Sequence, residues 1–228
     1  MKQEKIYIYG KHAVEEAQRN IPKAVEKVEK IGPKSTLPSE IGKNANHQGV
    51  IALVNLDKLV RPYKEFVKDL KINSDTAFVL MGELQDPQNV GAVIRSSVAM
   101  GISAILIPEH NQVQITPAVV KVSAGMVFSI PIVSIGNVNN VIRDLKDRGF
   151  WIYGLEGTAK ESLDEQKFEE PTVFVLGNES KGIREKTTEL CDILLRIPMN
   201  PRCESMNVAA STAIALYAWS TKHPKALE

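Results

Sequence analysis

Short apolar runs alternate with amphipathic segments along the chain from Ala77 onward. The runs have the length and composition of buried strands, and the segments between them carry apolar side chains at helical spacing. This alternation predicts a parallel α/β sheet with helices packed on its faces. The predicted strands cover residues 77–81, 104–108, 130–135, 151–155, 173–177 and 193–198.

Two of the predicted helices carry a clear apolar stripe. The stripe is typical of a helix face that packs against a sheet, so we expect these side chains to form core rather than a cofactor site. The stripe of the first helix consists of Val90, Val93, Ile94 and Val98, and that of the last helix of Val208, Thr212, Ala215, Leu216 and Trp219.

The beginning of the chain has a different pattern, which predicts a small separate α/β module over residues 1–55. A strand at 6–10 and a helix from Lys11 precede the strand at 50–54. Apolar positions then repeat at helical spacing from Leu56 to Leu70, which predicts a linker helix over 56–76 before a larger domain at 77–228. Loop-like stretches inside the module are marked by Gly32–Pro33, Leu37–Pro38 and residues 44–49.

Composition narrows the class of protein. With 228 residues, 43% hydrophobic and 24% charged, the chain has ordinary globular values. The apolar runs are too short to span a bilayer and residues 1–8 lack a signal-peptide core, so we expect a soluble, cytoplasmic protein.

Cys191 and Cys203 cannot form a disulfide framework, and the four histidines show no zinc-ligand spacing. We therefore expect reduced thiols, no metal and no nucleophilic role for Cys203.

Charge is unevenly distributed along the chain. Residues 1–76 hold 14 Lys/Arg and 10 Asp/Glu, whereas residues 77–228 hold 14 and 17. The positive excess of the first part suits an RNA-binding face, but a solvated lysine-rich surface explains it about as well.

Three glycine-marked segments follow predicted strands of the larger domain. In the first, Arg95 stands six residues after Asn89, which can open the helix as a cap. In the second, Gly177 lets a ligand approach the backbone and Glu179 lies beyond a strand's carboxyl end, although a plain turn with Glu near a helix N-terminus is the favoured explanation of this segment taken alone. In the third, Ser205 and Asn207 precede the last helix, where such residues commonly act as caps.

Taken in order, these segments resemble the signature motifs of a known family. They contain Asn-x-Gly-x-x-x-Arg at 89–95, Gly-x-Glu-x-x-Gly at 177–182, and Ile-Pro-Met at 197–199 followed by Ser-x-Asn-Val at 205–208. The chain resembles the SpoU (TrmH-like) branch of the SPOUT RNA 2′-O-ribose methyltransferases, closest in layout to the RlmB-type 23S rRNA guanosine-2′-O-methyltransferases. Residues 9–17 and 47–50 resemble the small substrate-binding domain that many members carry. The chain departs from the pattern at Pro201, where Gly is usual, at Met206, where Leu is usual, and in its shorter N-terminal module.

The resemblance implies a fold, a cofactor and a set of site residues. The implied fold is a mostly parallel α/β sheet with a C-terminal trefoil knot, and the implied protein is a homodimer that binds structured RNA. The knot loops would hold S-adenosylmethionine, and Arg95 would grip an RNA phosphate and stabilise the developing alkoxide, because a guanidinium stays protonated. The implied cofactor-binding residues are Leu155, Gly177, Ile197, Met199 and Met206, and the implied catalytic residues are Arg95, Asn89, Glu179, Ser205 and Asn207.

Other functions remain open at this level. The same chemistry on tRNA and a non-catalytic RNA-binding or ribosome-assembly role are both compatible with the resemblance, although all five implied catalytic residues are present. A dinucleotide-using α/β enzyme would need a glycine fingerprint between its first strand and helix, and here the glycine-marked loops lie near the other end of the chain.

Overall fold

The computed structural model of the chain describes residues 5–32, 35–42 and 45–228. Pro33 and Asn44, which mark predicted loops, lie outside the described residues. The strands are β1 (Lys5–Tyr9), β2 (Val25–Lys30), β3 (Val50–Asn55), β4 (Val60–Pro62), β5 (Ala77–Leu80), β6 (Ala104–Pro108), β7 (Ile132–Ile135), β8 (Trp151–Leu155), β9 (Glu161–Ser162), β10 (Thr172–Val175) and β11 (Ile193–Arg196). The α-helices are α1 (Lys11–Asn20), α2 (Tyr63–Phe66), α3 (Pro87–Ala99), α4 (Pro117–Val122), α5 (Val138–Asp147), α6 (Glu185–Thr188) and α7 (Val208–Ser220).

The N-terminal module is a three-stranded antiparallel sheet in the order β1-β3-β2, with α1 packed against it. The predicted strands at its two ends and the helix from Lys11 are all present. Strand β2 was missed, because its sequence VEKVEK is largely exposed and charged and carries no buried apolar face.

The larger sheet has eight strands in the order β4-β7-β6-β5-β10-β8-β11-β9. Every pairing in it is parallel, which confirms the predicted α/β class. All six predicted strands are present, and β6 and β8 have the predicted bounds.

Two apolar layers cover the faces of this sheet. Ala77 and Val79 of β5 belong to the layer that includes α3, α4 and α7, whereas Phe78 and Leu80 face the layer that includes α5. The alternation follows from the two-residue period of a strand. Because both faces are covered, the polar side chains that do chemistry are left to the loops at the strand ends.

The predicted continuous helix over 56–76 is wrong. A single 3-10 turn at Leu56–Lys58 is followed by β4, which pairs with β7, and by the four-residue helix α2. Pro62 has no backbone N–H and disfavours helix before it, so the chain can form the edge strand and restart as α2. The Tyr63 hydroxyl then donates to Asp144 Oδ2 at 2.6 Å, which ties this segment to α5.

Strand β11 lies between β8 and β9, both of which precede it in the chain. Leu195 pairs with Leu155 on one side and with Glu161 on the other, and its carbonyl accepts from the Glu156 amide at 3.0 Å. The connection of residues 156–160 must therefore pass across β11. This crossing is compatible with a threaded C-terminus, and the complete trefoil path stays a prediction.

The module packs directly on the larger part of the chain. Gly125 has φ +83°, and a Cβ placed there would lie 2.9 Å from Ala13 Cα. Lys121 Nζ donates to the Asn46 carbonyl at 3.3 Å and lies 5.6 Å from the centroid of the Tyr9 ring. The two parts share a continuous apolar core at this contact. No helix in the described part of the chain is long and apolar enough to cross a membrane.

Candidate active site

The loops that follow β8, β10 and β11 meet the start of α3 and of α7 at the carboxyl edge of the larger sheet. They surround a cavity of about 560 Å³, within the range of small-molecule sites. Residues from all three predicted motifs line the cavity. They are Asn89 from the first, Gly177, Glu179 and Gly182 from the second, and Ile197, Met199, Ser205, Met206, Asn207 and Val208 from the third.

Asn89 does not cap α3, contrary to the prediction. Asp86 is the cap residue, since its side chain accepts from the Gln88 amide at 2.8 Å, and Pro87 occupies the first helical position. Asn89 lies within the first turn and is 8% exposed. Its amide group is therefore free to bond outside the helix.

A chain of side-chain hydrogen bonds joins the three motifs. Asn207 Nδ2 donates to Asn89 Oδ1 at 2.9 Å, and Asn89 Nδ2 donates to Glu179 Oε1 at 3.1 Å. We call these three residues the motif network. It fixes the starts of two helices and one loop tip in a single arrangement at the cavity wall.

Asn207 also has the predicted capping role. Its Oδ1 accepts from the amides of Ala209 at 2.9 Å and Ala210 at 3.3 Å, which satisfies the free N–H groups at the start of α7. Ser205 is not a cap; its side chain is exposed at the cavity, and its carbonyl accepts from the Cys203 thiol at 3.1 Å. The Ser205 hydroxyl is thus available to a ligand.

The Glu179 carboxylate accepts hydrogen bonds from backbone amides and from Asn89. The amide donors are those of Gln85 at 3.2 Å and Asp86 at 3.3 Å. Partial burial alone would raise the pKa of the Glu179 carboxyl, but the bonds from Asn89 and these amides outweigh it and lower the pKa. Glu179 is therefore an anion at neutral pH and a hydrogen-bond acceptor.

Arg95 is the one implied catalytic residue that the structure does not bring to the cavity. It is exposed on α3 and is absent from the cavity lining. It lies six positions after Asn89 on the helix, which corresponds to about 9 Å along the axis and a rotation of about 240°. Spacing in the sequence could not reveal this, because it depends on which side of α3 faces the cavity.

The loop after β10 folds back on itself. The amides and carbonyls of Asn178 and Gly182 are paired in both directions at 2.9 Å. A Cβ on Gly177 would lie 2.4 Å from the Gly182 carbonyl carbon, so this return path requires glycine. Asn178 Oδ1 accepts from the amides of Ser180 at 3.0 Å and Lys181 at 3.1 Å and sets the shape of the tip.

The loop after β11 contains Pro201, the departure from the usual glycine. The Cys203 amide donates to the Asn200 carbonyl at 2.9 Å, and Asn200 Oδ1 accepts from the Arg202 amide at 3.0 Å. Pro201 is the second residue of this turn, a position that suits the fixed φ of proline. The substitution therefore fits the loop.

All five predicted cofactor-binding residues line the cavity: Leu155, Gly177, Ile197, Met199 and Met206. Sequence reasoning missed Glu156 and Asn178, which also line it. Glu156 directly follows β8 at the carboxyl end of a parallel strand, and that position was a signal available in the sequence. The lining combines an apolar surface with the carboxylates of Glu156 and Glu179.

These features define a class: an α/β protein with a small-molecule cavity at the carboxyl edge of a parallel sheet, lined by three linked polar motifs. The chain belongs to the SpoU rRNA Methylase family, whose model matches residues 76–217. The family resemblance predicted from the motifs is thus confirmed.

Several known proteins are similar over most of the chain. A 23S rRNA (guanosine-2′-O-)-methyltransferase RlmB from Pseudomonas syringae pv. tomato is 32% identical, covering 92% of this chain and 93% of the relative. The RlmB of Xylella fastidiosa strain 9a5c is 37% identical, and the match covers 78% of this chain and 71% of the relative.

Solved structures share the fold. The SpoU methyltransferase AviRb from Streptomyces viridochromogenes, in complex with the cofactor AdoMet, has a TM-score of 0.81 at 22% identity and covers 96% of this chain and 91% of its own. The TrmH/SpoU tRNA modifying enzyme of A. aeolicus has a TM-score of 0.59 at 26% identity, covering 68% and 78%.

Proposed function

We propose that this chain transfers a methyl group from S-adenosylmethionine to a ribose 2′-hydroxyl of structured RNA, with 23S rRNA as the substrate. The observation that carries the proposal is the motif network, which joins Asn207, Asn89 and Glu179 at the wall of one cavity. Curated relatives at 32–37% identity are named as 23S rRNA guanosine-2′-O-methyltransferases, which favours ribosomal over transfer RNA.

The cavity suits S-adenosylmethionine in size and chemistry. Leu155, Ile197 and Met199 offer apolar contact for an adenine ring, and the carboxylates of Glu156 and Glu179 suit a molecule with a sulfonium and an ammonium group. Bound there, the cofactor supplies an electrophilic methyl group. The residues of this chain contribute position and polarity.

The polar side chains of the cavity would orient the ribose. Ser205 and the amides of Asn89 and Asn207 offer neutral hydrogen bonds, and holding the hydroxyl in line with the methyl group accounts for much of the rate enhancement. Glu179 keeps the start of α3 in place through its bonds to Gln85 and Asn89. The role of Arg95 is to hold an RNA phosphate and stabilise the developing alkoxide.

A homodimer reconciles that role with the exposed position of Arg95. On α7, Ile214 is 41% and Tyr217 is 61% exposed, an apolar surface that suits a subunit contact. Trp219 on the same helix is 0% exposed and belongs to the core, as its place in the apolar stripe predicted. In the dimer, Arg95 of one subunit would complete the cavity of the other.

Subunit mixing tests the dimer. Arg95→Ala and Asn207→Ala subunits are each expected to be strongly impaired as pure dimers and to regain activity when mixed, because a mixed dimer holds one intact composite site. Mixtures as inactive as the pure variants would contradict this arrangement, as would a monomer of full activity in light scattering.

The N-terminal module would add phosphate contacts through its positive excess. Deleting residues 1–72 would remove β4 and the Tyr63 contact as well, so substitutions test this better. Lys23→Gln and Lys30→Gln, both at exposed positions, should each lower the slope of RNA affinity against salt by about one. An unchanged slope in both variants would assign RNA binding to the larger part of the chain.

Calorimetry and single-turnover assays test the activity itself. S-adenosylhomocysteine should bind to the protein, and a 23S rRNA fragment should be methylated while its 2′-deoxy counterpart should not. Methylation of tRNA and not of the 23S rRNA fragment would identify tRNA as the substrate. Binding of a nicotinamide dinucleotide but not of S-adenosylhomocysteine would contradict the methyltransferase proposal.

A further inference from the structure

Glu83 and Arg184 form a two-pronged ion pair beside the motif network. Arg184 Nε donates to Glu83 Oε2 at 3.1 Å, and an Arg184 terminal nitrogen lies 2.5 Å from Glu83 Oε1. The arginine side chain is 68% exposed and the glutamate 26%. The pair joins the connection between β5 and α3 to the end of the loop after β10, 101 residues further along the chain.

Glu83 holds an uncommon backbone conformation. Its φ is +62°, in the left-handed region that a residue with a Cβ rarely occupies. Its carbonyl accepts from Asn178 Nδ2 at 2.8 Å and from Gln85 Nε2 at 3.2 Å. Strained residues of this kind persist where surrounding contacts over-determine them, and they cluster at functional sites.

The loop after β10 is attached to α3 and the residues before it at three points, the first of which is the bond from Asn178 Nδ2 to the Glu83 carbonyl at 2.8 Å. Glu179 at its tip bonds to the amides of Gln85 and Asp86, and Arg184 at its end bonds to Glu83. Gly177 precedes these points and Gly182 lies between Glu179 and Arg184, and both glycines line the cavity. The ion pair itself lies outside this cavity and borders a smaller depression of about 360 Å³ on the other side of the loop.

We propose that Glu83 and Arg184 are positioning residues for the methyl-transfer site. Their ion pair fixes the loop of residues 177–184 against the start of α3, and the loop in turn sets the position of Glu179 and of the cavity wall. Neither residue touches the cavity, so their influence on a ligand passes through the loop. This inference rests on the proposed function for its kinetic consequence, whereas the fixing of the loop does not.

The test compares Arg184→Gln, Glu83→Gln and the charge-swapped double variant E83R/R184E. Each single variant should bind S-adenosylhomocysteine about three- to fivefold more weakly in calorimetry, the upper end for an exposed pair, and methylate RNA more slowly. The double variant should recover most of the affinity. High salt should narrow the gap between wild type and the single variants, because an exposed pair is screened.

Lys186→Gln is the matched control, since Lys186 is exposed on the same depression but outside the pair. It should bind S-adenosylhomocysteine as the wild type does. An equal loss in Lys186→Gln, no loss in Arg184→Gln, or no recovery in the double variant would overturn the proposal.

Amide hydrogen exchange separates this inference from the proposed function. The amides of Gln85, Asp86 and Gly182 are bonded within the two attached segments, so they should exchange faster in Arg184→Gln than in wild type or Lys186→Gln. If the amides of Arg184→Gln exchange faster but the wild type does not bind S-adenosylhomocysteine, the loop attachment is supported and the proposed function is contradicted. Unchanged exchange would overturn the attachment.

Discussion

Two polar clusters hold distant parts of this chain together, and they differ in exposure. The motif network lies at an open cavity, with Glu179 at an exposed loop tip. The second cluster, which we call the C-terminal cluster, surrounds His223, which is 5% exposed. Its ring nitrogens lie 2.9 Å from Asp75 Oδ1 and 2.9 Å from the Phe168 carbonyl oxygen, and its ring stacks on Trp219 at 4.5 Å.

This difference in exposure separates polar bonds that stabilise the fold from polar bonds that act on a ligand. Hydrogen bonds in a buried site cost much to break, because the remaining partner is left without water. Bonds at an open cavity cost less, since water replaces the lost partner. Substitutions in the C-terminal cluster should therefore change stability, and those at the candidate site should change binding and rate.

The largest expected effect is the loss of methylation rate on substitution of Arg95, which is exposed. Arg95→Ala should lower single-turnover methylation by on the order of a hundredfold or more, the range for removing an electrostatic stabiliser, while the free energy of unfolding stays nearly unchanged. Arg95→Lys should already impair the reaction, because an ammonium cannot reproduce the planar fork. Wild-type rates in Arg95→Ala, or loss only through unfolding, would make Arg95 structural.

The next effect belongs to the C-terminal cluster. His223→Ala should lower the free energy of unfolding by about 2 kcal/mol, because the buried Phe168 carbonyl and the partly exposed Asp75 carboxylate lose the imidazole and Trp219 loses a stacking contact. The folded fraction should bind S-adenosylhomocysteine with unchanged affinity. Denaturant unfolding measures the free energy of unfolding, and calorimetry on the same sample measures the affinity for S-adenosylhomocysteine. A variant of wild-type stability with a lower affinity would show that the C-terminal cluster acts on binding, as the motif network does.

The sequence predicted the fold better than it predicted the contacts between side chains. Strands such as β6 and β8 were found because buried parallel strands are continuous apolar runs, whereas β4 is a three-residue edge strand that ends in Pro62. The five predicted cofactor-binding residues, all of which line the cavity, were found through the family resemblance. The bond between Asn89 and Asn207 spans 118 residues, and the direction of Arg95 depends on the rotation of α3; neither is encoded in local spacing.

Asn207 contributes both to stability and to the motif network, because it caps α7 and donates to Asn89. Asn207→Ala should lower the free energy of unfolding by about 1 kcal/mol through the lost cap and weaken cofactor binding as well. Asn207→Ser is the matched control, since serine keeps a capping oxygen but lacks the amide donor. It should retain stability and still bind S-adenosylhomocysteine more weakly, and equal stability of the alanine variant would show that the cap contributes nothing.

The smallest effect is the pH dependence that Glu179 gives to the motif network. Partial burial opposes ionisation of this carboxyl, but the bonds from Asn89 and the amides prevail, so its pKa in the folded protein lies below the ordinary 4.5. A carboxyl with a lowered folded pKa contributes stability that is fully present above the unfolded value and is lost as the pH falls through the folded pKa. Wild type should thus exceed Glu179→Gln slightly in stability at neutral pH, and the difference should shrink below pH 4.5. Because Glu179 is exposed, water moderates the difference, and thermal unfolding of both proteins at neutral and acid pH measures it. A difference that stays constant across this range would mean that Glu179 acts through its shape and not through its charge, and the motif network would then resemble the C-terminal cluster more than a charged site.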